Sequence, residues 1–319
     1  DVVVAGGSES LTHIPITIKQ ALAEKLIGAS KAKTLGARLG TLAKIRPRDL
    51  VPNFPQIAEP TTGESMGESA ERMAKENGIT RADQDAWALR SHQLAAAGTQ
   101  DGRLTAEIGP VYVPPGFETV VQTDNGIRSD TSEEALAKLR PVFDRKHGSV
   151  TAGNASPLTD GASAVLMMSE ERAKADGLKP MGFVRSYAFS GLDPGGQLLQ
   201  GPAYAAPMAL ERAGITMADI GLMEMHEAFA AQVLSNLQAL SSQKFAEEEL
   251  GRSQAVGHPD LDVINVMGGS IAIGHPFGAT GGRITTTLLN EMKRRDVELG
   301  LITVCAAGGL GFAMVVERG

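Results

Sequence analysis

Two periods of apolar residues divide this chain into elements. Val2-Val3-Val4-Ala5, closed by Gly6 and Gly7, is a continuous β-branched run and predicts a buried parallel strand. Ile14, Ile18, Leu22 and Leu26, then Leu35, Leu39 and Leu42, fall at helical spacing. They predict one or two amphipathic helices, before Pro47, Pro52 and Pro55 break the pattern. A helix is expected from Met66 to a glycine stop at Gly78, and another from its cap at Thr80 to Gly98. His92, on the second helix, reads as a surface or packing residue. Residues 105–130, with Pro110, Pro114 and Pro115, read as irregular strands and loops, and 133–143 as a helix ended by Pro141. Small polar residues at 150–160 predict a loop whose backbone can approach a ligand. A buried strand at 161–169 and a short helix at 170–177 follow. Beyond Met181 strand and helix signals alternate: strand 182–190, helix Pro207 to Gly214, strand 222–225, helix 228–240 and helix 284–295, then a glycine-rich apolar run at 301–316. Alternation of this kind points to an α/β fold, a parallel sheet covered by helices.

Composition narrows the function. The 319 residues suffice for two or three structural units, and no apolar run approaches the roughly 20 residues of a membrane helix, which predicts a soluble protein. A net charge of −7 argues against general nucleic-acid binding. The charge is uneven: residues 11–50 hold eight Lys or Arg against Glu24 and Asp49. That stretch is either a solvated helical face or a docking surface for anionic acyl-CoA, a partner subunit or a membrane surface. A single cysteine excludes an internal disulfide and fits a reducing compartment. No His, Cys or acidic cluster has metal-ligand spacing, so no metal is expected. The chain opens in mid-element, and the likeness of DVVVAGG to LITVCAAGG is a loose internal echo of two repeated halves.

The chemistry concentrates in three places. His275 stands between Gly274 and Pro276 in a glycine-rich stretch, 265–283, just before a helix ending in Lys293, Arg294 and Arg295. Glycine there admits close approach, and a helix N-terminus favours developing negative charge. Cys305 lies in the apolar run near the C-terminus. As a thiolate it would be a nucleophile or base, and as part of a core strand it would be inert. The glycines after it could open N–H groups to an oxyanion. His226 begins the stretch HEAF, where an apolar run gives way to a helix, and taken alone reads as a satisfied buried histidine. Gly257-His258-Pro259 repeats the Gly-His-Pro triplet in a polar, acid-flanked setting, which predicts a surface loop for His258.

HEAF at 226–229, GGSIAIGHPFGATGG at 268–282, CAAGG at 305–309, TAGNAS at 151–156 and AGGSES at 5–10 together resemble the thiolase family, in order and over essentially the whole chain. Within it they resemble the degradative branch, the 3-ketoacyl-CoA thiolase β-subunit of the fatty-acid oxidation trifunctional complex. The resemblance implies the thiolase fold: two similar five-layer α/β halves with mixed sheets and an inserted loop domain. On that expectation residues 1–10 and 150–180 are the remnant of a largely missing first half, 11–149 the loop domain and 181–319 the second half. The implied activity is an acetyl-CoA C-acyltransferase of β-oxidation, with coenzyme A as substrate and no cofactor. A short-chain acetoacetyl-CoA thiolase and a catalytically inactive acyl-CoA-binding relative are the alternatives.

The resemblance also distributes roles. His275 activates a nucleophilic cysteine expected upstream of residue 1, so that the chain by itself would be inactive. Cys305 is the acid/base that protonates the departing enolate. His226 and His275 form one oxyanion hole, and the N–H of Ala307 belongs to a second. Ser156, Phe143, Met66, Ala228 and Phe229 line the CoA channel, with Arg128 near the nucleotide end. Ser65, where many members have histidine, and Ala306-Ala307, where many have an earlier glycine, depart from the family pattern. Implied partners are a second copy in a dimer or dimer of dimers and an α-subunit with hydratase and dehydrogenase activity. Membrane contact would be peripheral at most. The implied location is the bacterial cytoplasm or the mitochondrial matrix.

Overall fold

A computed structural model describes residues 1–53 and 57–319. Pro55, one of the expected helix breakers, lies outside the described residues. In chain order the elements are β1 (Val2–Glu9), α1 (Gln20–Lys31), α2 (Leu35–Leu42), α3 (Met66–Glu76), α4 (Arg81–Gln100), β2 (Val111–Tyr112), β3 (Val120–Val121), α5 (Glu133–Ala137), β4 (Gly161–Met168), α6 (Glu170–Ala175), β5 (Gly182–Gly191), α7 (Gly201–Ala213), β6 (Leu222–Met225), α8 (Ala230–Ser241), α9 (Gln243–Glu248), α10 (Ser270–Ile273), α11 (Phe277–Arg295), β7 (Leu299–Ala306) and β8 (Leu310–Arg318). They form two compact units, one of residues 11–57 and one of residues 1–10 with 58–319. Residues 58–149, grouped with 11–57 by the sequence, therefore pack with the rest of the chain.

In the small unit α1 packs on α2, and a bridge between Thr17 and Asn53 closes its base. Lys25 pairs with the buried Asp49. The helical period holds, but its apolar positions do not form a core. Leu22 and Ala29 are buried, whereas Leu35 is 73% and Leu39 58% exposed.

The large unit is layered. Its main sheet has the order β5-β8-β7-β6, mixed because β6 runs parallel to β7 while the other pairs are antiparallel. α7 covers one side of it. α11 packs against β6 and β7 of this sheet and also against β1 and β4, so one helix lies between two sheets. A continuous ladder from Val2↔Met168 to Glu9↔Gly161 makes the β1–β4 pair antiparallel. Here the sequence misleads. β1 was expected to be buried and parallel, and β4 buried, yet with α11 on one face their outward residues are open: Val4 is 70% and Leu166 57% exposed.

Other boundaries also move. α4 runs through Gly98 to Gln100, because Gly98 keeps a helical backbone and leaves room for the Met267 side chain. α5 ends four residues before Pro141. α7 begins at Gly201-Pro202, with Pro207 inside it; proline at the first turn costs nothing, since those N–H groups lack helical partners anyway. α11 begins within the glycine stretch, at Phe277.

Candidate active site

The end of β6 delivers His226, whose N–H donates to Thr303 O on β7 at 2.9 Å. The next residue, Glu227, is fully buried and accepts four hydrogen bonds: Trp87 Nε1 at 3.0 Å, Ser91 Oγ at 2.8 Å, Asn265 Nδ2 at 2.8 Å and the Ile271 N–H at 3.2 Å. This carboxylate ties α4, the turn before α10 and the β6 end into one block, which satisfies its buried charge. The glycine pair 268–269 serves that block: a Cβ on Gly269 would lie 2.3 Å from Glu227 Cδ. Close approach is thus made to a protein carboxylate, where the sequence suggested a substrate.

His275 follows the C-terminal end of α10. Gly274, at φ +114°, makes the turn, and the His275 N–H donates to Pro157 O at 3.2 Å. The two histidine rings come together, centroids 4.0 Å apart and tilted 45°, with Phe277 on the other side of His275 at 4.7 Å. His275 Nδ1 lies 2.7 Å from Thr280 Oγ1, and that hydroxyl gives its proton to Pro276 O at 3.1 Å. With that hydroxyl turned to Pro276 O, Nδ1 would carry the ring proton of His275 and Nε2 a bare lone pair, the arrangement of a base. Burial and the Arg283 charge hold the His275 imidazole down to about 4. Burial, with His275 and Arg283, holds His226 well below its ordinary value too. Both rings are neutral at physiological pH. His226 Nε2 is buried without a protein partner.

Cys305, near the end of β7, is free and buried, and burial pushes its thiol up to about 12. A thiol held protonated in an apolar strand is a poor resting nucleophile. It belongs to one apolar cluster with Met66, Ala228 and Phe229. Phe143 joins them edge-on to Phe229 at 6.3 Å, its ring lying on Gly67 so closely that a Cβ there would sit 1.8 Å from Phe143 Cζ. The 151–157 loop links this cluster to the histidines: Ala155 bridges Phe229, the Ser156 N–H donates to Ala228 O at 2.9 Å, and Pro157 O holds His275.

Most of the sequence-derived candidates therefore converge. Two stand apart. Arg128 is exposed, and its backbone N–H donates to Nδ1 of the buried His92 at 3.2 Å. Ala307 lies in the exposed turn between β7 and β8. Ser65 is the N-cap of α3 in a reciprocal capping box with Glu68. His258 is exposed, its Nδ1 2.8 Å from Ser241 Oγ. Sequence reasoning passed over Glu227, Ser270, Thr280 and Arg283. Glu227 sits inside HEAF and the other three inside the glycine stretch, so their place was visible even though their contacts were not. Among the described residues no group of three His, Cys, Asp or Glu side chains could hold a metal ion, and no helix is long and apolar enough to cross a membrane.

A pair of histidines, one at a strand end and one between two helices, with a cysteine on the neighbouring strand of a layered α/β unit defines a class, and comparison with known proteins agrees. The thiolase N-terminal domain matches residues 1–171 and the thiolase C-terminal domain residues 178–318; the chain belongs to the thiolase family. The 3-ketoacyl-CoA thiolase of Yersinia enterocolitica serotype O:8 / biotype 1B is 56% identical over 316 residues, covering 99% of this chain and 72% of that protein. Human mitochondrial 3-ketoacyl-CoA thiolase, solved in complex with CoA, superposes with a TM-score of 0.80 at 31% identity, over 100% of this chain and 71% of that one. Bacillus anthracis acetyl-CoA acetyltransferase gives 0.80 at 34% identity, over 100% and 72%. The N-terminal domain match takes in residues 1–171, where the sequence assigned only 1–10 and 150–180 to that half. Matches to both domains support an enzyme of the thiolase family.

Proposed function

We propose that this protein is an acetyl-CoA C-acyltransferase, cleaving 3-ketoacyl-CoA with CoA into acetyl-CoA and a shortened acyl-CoA. The observation that carries the reading is the stacked His226–His275 pair, one Nε2 buried and unpartnered, beside a loop leading to a protonated Cys305. The 56% identity to a 3-ketoacyl-CoA thiolase supports the degradative direction.

In this mechanism a cysteine thiolate, its proton taken by His275 Nε2, attacks the 3-keto carbon. The C2–C3 bond breaks, the acyl group stays on sulfur and acetyl-CoA departs as its enolate. His226 donates to the enolate oxygen, and Cys305 gives its S–H proton to C2. Cys305, left as a thiolate, takes the S–H proton of incoming CoA, the CoA thiolate takes the acyl group, and His275 returns its proton to the departing enzyme sulfur. An α-carbon of a thioester is a weak acid, so fixed donors at the enolate oxygen must supply much of the acceleration. Cys305 is the one cysteine of the 319 residues, and we assign it to proton transfer; the acyl-carrying sulfur is a different group. Met66, Phe143, Ala228, Phe229 and Ser156 are assigned to the CoA channel and Ala307 to a second oxyanion hole. A dimer of this chain and an α-subunit partner belong to the same reading.

The test is CoA-dependent loss of a 3-ketoacyl-CoA series, run with calorimetric CoA binding. Cleavage faster on medium or long chains supports the reading. Cleavage confined to acetoacetyl-CoA moves it to the short-chain class, and binding without cleavage sinks it.

A further inference from the structure

Ser270 opens α10 and is 1% exposed. Its hydroxyl oxygen meets two polar atoms, Arg283 Nη2 at 2.9 Å and His226 Nδ1 at 3.0 Å. A guanidinium can only donate, so Arg283 occupies one of the two lone pairs of that oxygen. The serine proton then needs an acceptor. Among the described residues the only one within hydrogen-bonding distance is His226 Nδ1. Were Nδ1 instead to carry the ring proton, two donors would point at Ser270 and its own proton would be buried unpaired, a strongly disfavoured arrangement.

We infer that Ser270 and Arg283 are positioning residues for His226: the chain Arg283 to Ser270 to Nδ1 places the ring proton of His226 on Nε2, as a donor aimed at the substrate. His226 Nε2 is the buried atom with no protein partner, so the proton it carries has no acceptor until a ligand oxygen arrives. Arg283 stands three residues after Thr280 on α11, which brings them to one side of the helix. The same helix therefore sets both rings with opposite polarity. With its own hydroxyl turned to Pro276 O, Thr280 draws the proton of His275 to Nδ1 and bares Nε2, while Arg283, through Ser270, sends the proton of His226 to Nε2. Two stacked imidazoles become one acceptor and one donor, which is what proton removal from a thiol and stabilisation of an enolate oxygen require side by side. The functional part of this inference rests on the thiolase reading; the tautomers do not.

The experiment is 15N NMR of the imidazole nitrogens in the whole protein, His226 being assigned by the signals lost in His226→Gln. The expected result is an Nε2–H tautomer in the wild type and a shift toward Nδ1–H in Ser270→Ala. Thiolysis by that variant should show a kcat lower by about tenfold to a hundredfold, with KM for CoA little changed, and Ser270→Thr should restore both readouts. A wild-type Nδ1–H tautomer overturns the inference even if Ser270→Ala does not fold. So does a fall in kcat with the tautomer unchanged. A protein with the Nε2–H tautomer and no thiolysis of any chain length overturns the proposed function instead.

Discussion

Gly-His-Pro occurs twice in this chain, and locally the two copies are alike. Gly257 and Gly274 both have positive φ, +139° and +114°. Both histidines bring Nδ1 to a hydroxyl, Ser241 Oγ at 2.8 Å and Thr280 Oγ1 at 2.7 Å. The difference lies beyond that first contact. His258 is exposed, while His275 has another imidazole 4.0 Å away, a phenylalanine at 4.7 Å and a backbone bond to the 151–157 loop. The triplet supplies a turn and an oriented ring. Burial and a second histidine make that ring a candidate for chemistry.

The strongest way to break this contrast is to delete each ring. His275→Ala should lower kcat/KM for thiolysis by about 10²- to 10⁴-fold, and His258→Ala should leave it at the wild-type value; equal losses would end the distinction. Next come the hydroxyl partners. Thr280→Val removes the hydroxyl that orients His275 and should cost about tenfold to a hundredfold in kcat, whereas Ser241→Ala should cost nothing measurable.

A third contrast is thermodynamic. His275 is held neutral, down to about 4, while the unfolded chain binds its proton near the ordinary 6.5. Between those values the unfolded state holds more protons, so the stabilisation is complete above pH 6.5 and is lost as pH falls toward 4. At pH 5 the loss is about 2 kcal/mol. Thermal melts from pH 7 to 5 should show a shallower decline for His275→Gln than for wild type. The smallest effect concerns Cys305. A thiol near 12 stays protonated at pH 8, so iodoacetamide should leave it unmodified in the folded protein and label it after denaturation.

Legibility followed range. His226, His275 and Cys305 could be found because each is embedded in a short run of unusual residues, and α8 because its period is unbroken. The antiparallel sense of β1 was hidden, since its partner lies about 160 residues away and a β-branched run does not declare its direction. Pro207 looked like a helix start because proline usually is one; here α7 carries it as an interior residue packed in the core. Glu227 draws two of its four donors from α4, 136 and 140 residues distant, and no local pattern reports that pairing. Ser270 and Arg283 were in plain view within the glycine stretch, but as ordinary residues of a helix start and a helix face. Their joint bearing on His226 exists only once α10, α11 and the end of β6 are packed together.

The position of α11 between both sheets has a consequence for how the large unit comes apart. A helix gripped by β1 and β4 on one side and by β6 and β7 on the other cannot loosen from one sheet without unsettling the other. Neither sheet then has a private route to melting, and the large unit should unfold as one cooperative block. The amides of α11 around Ile284, Leu288 and Met292, all buried, should be among the last to exchange with solvent deuterium, opening at a free energy close to that of global unfolding.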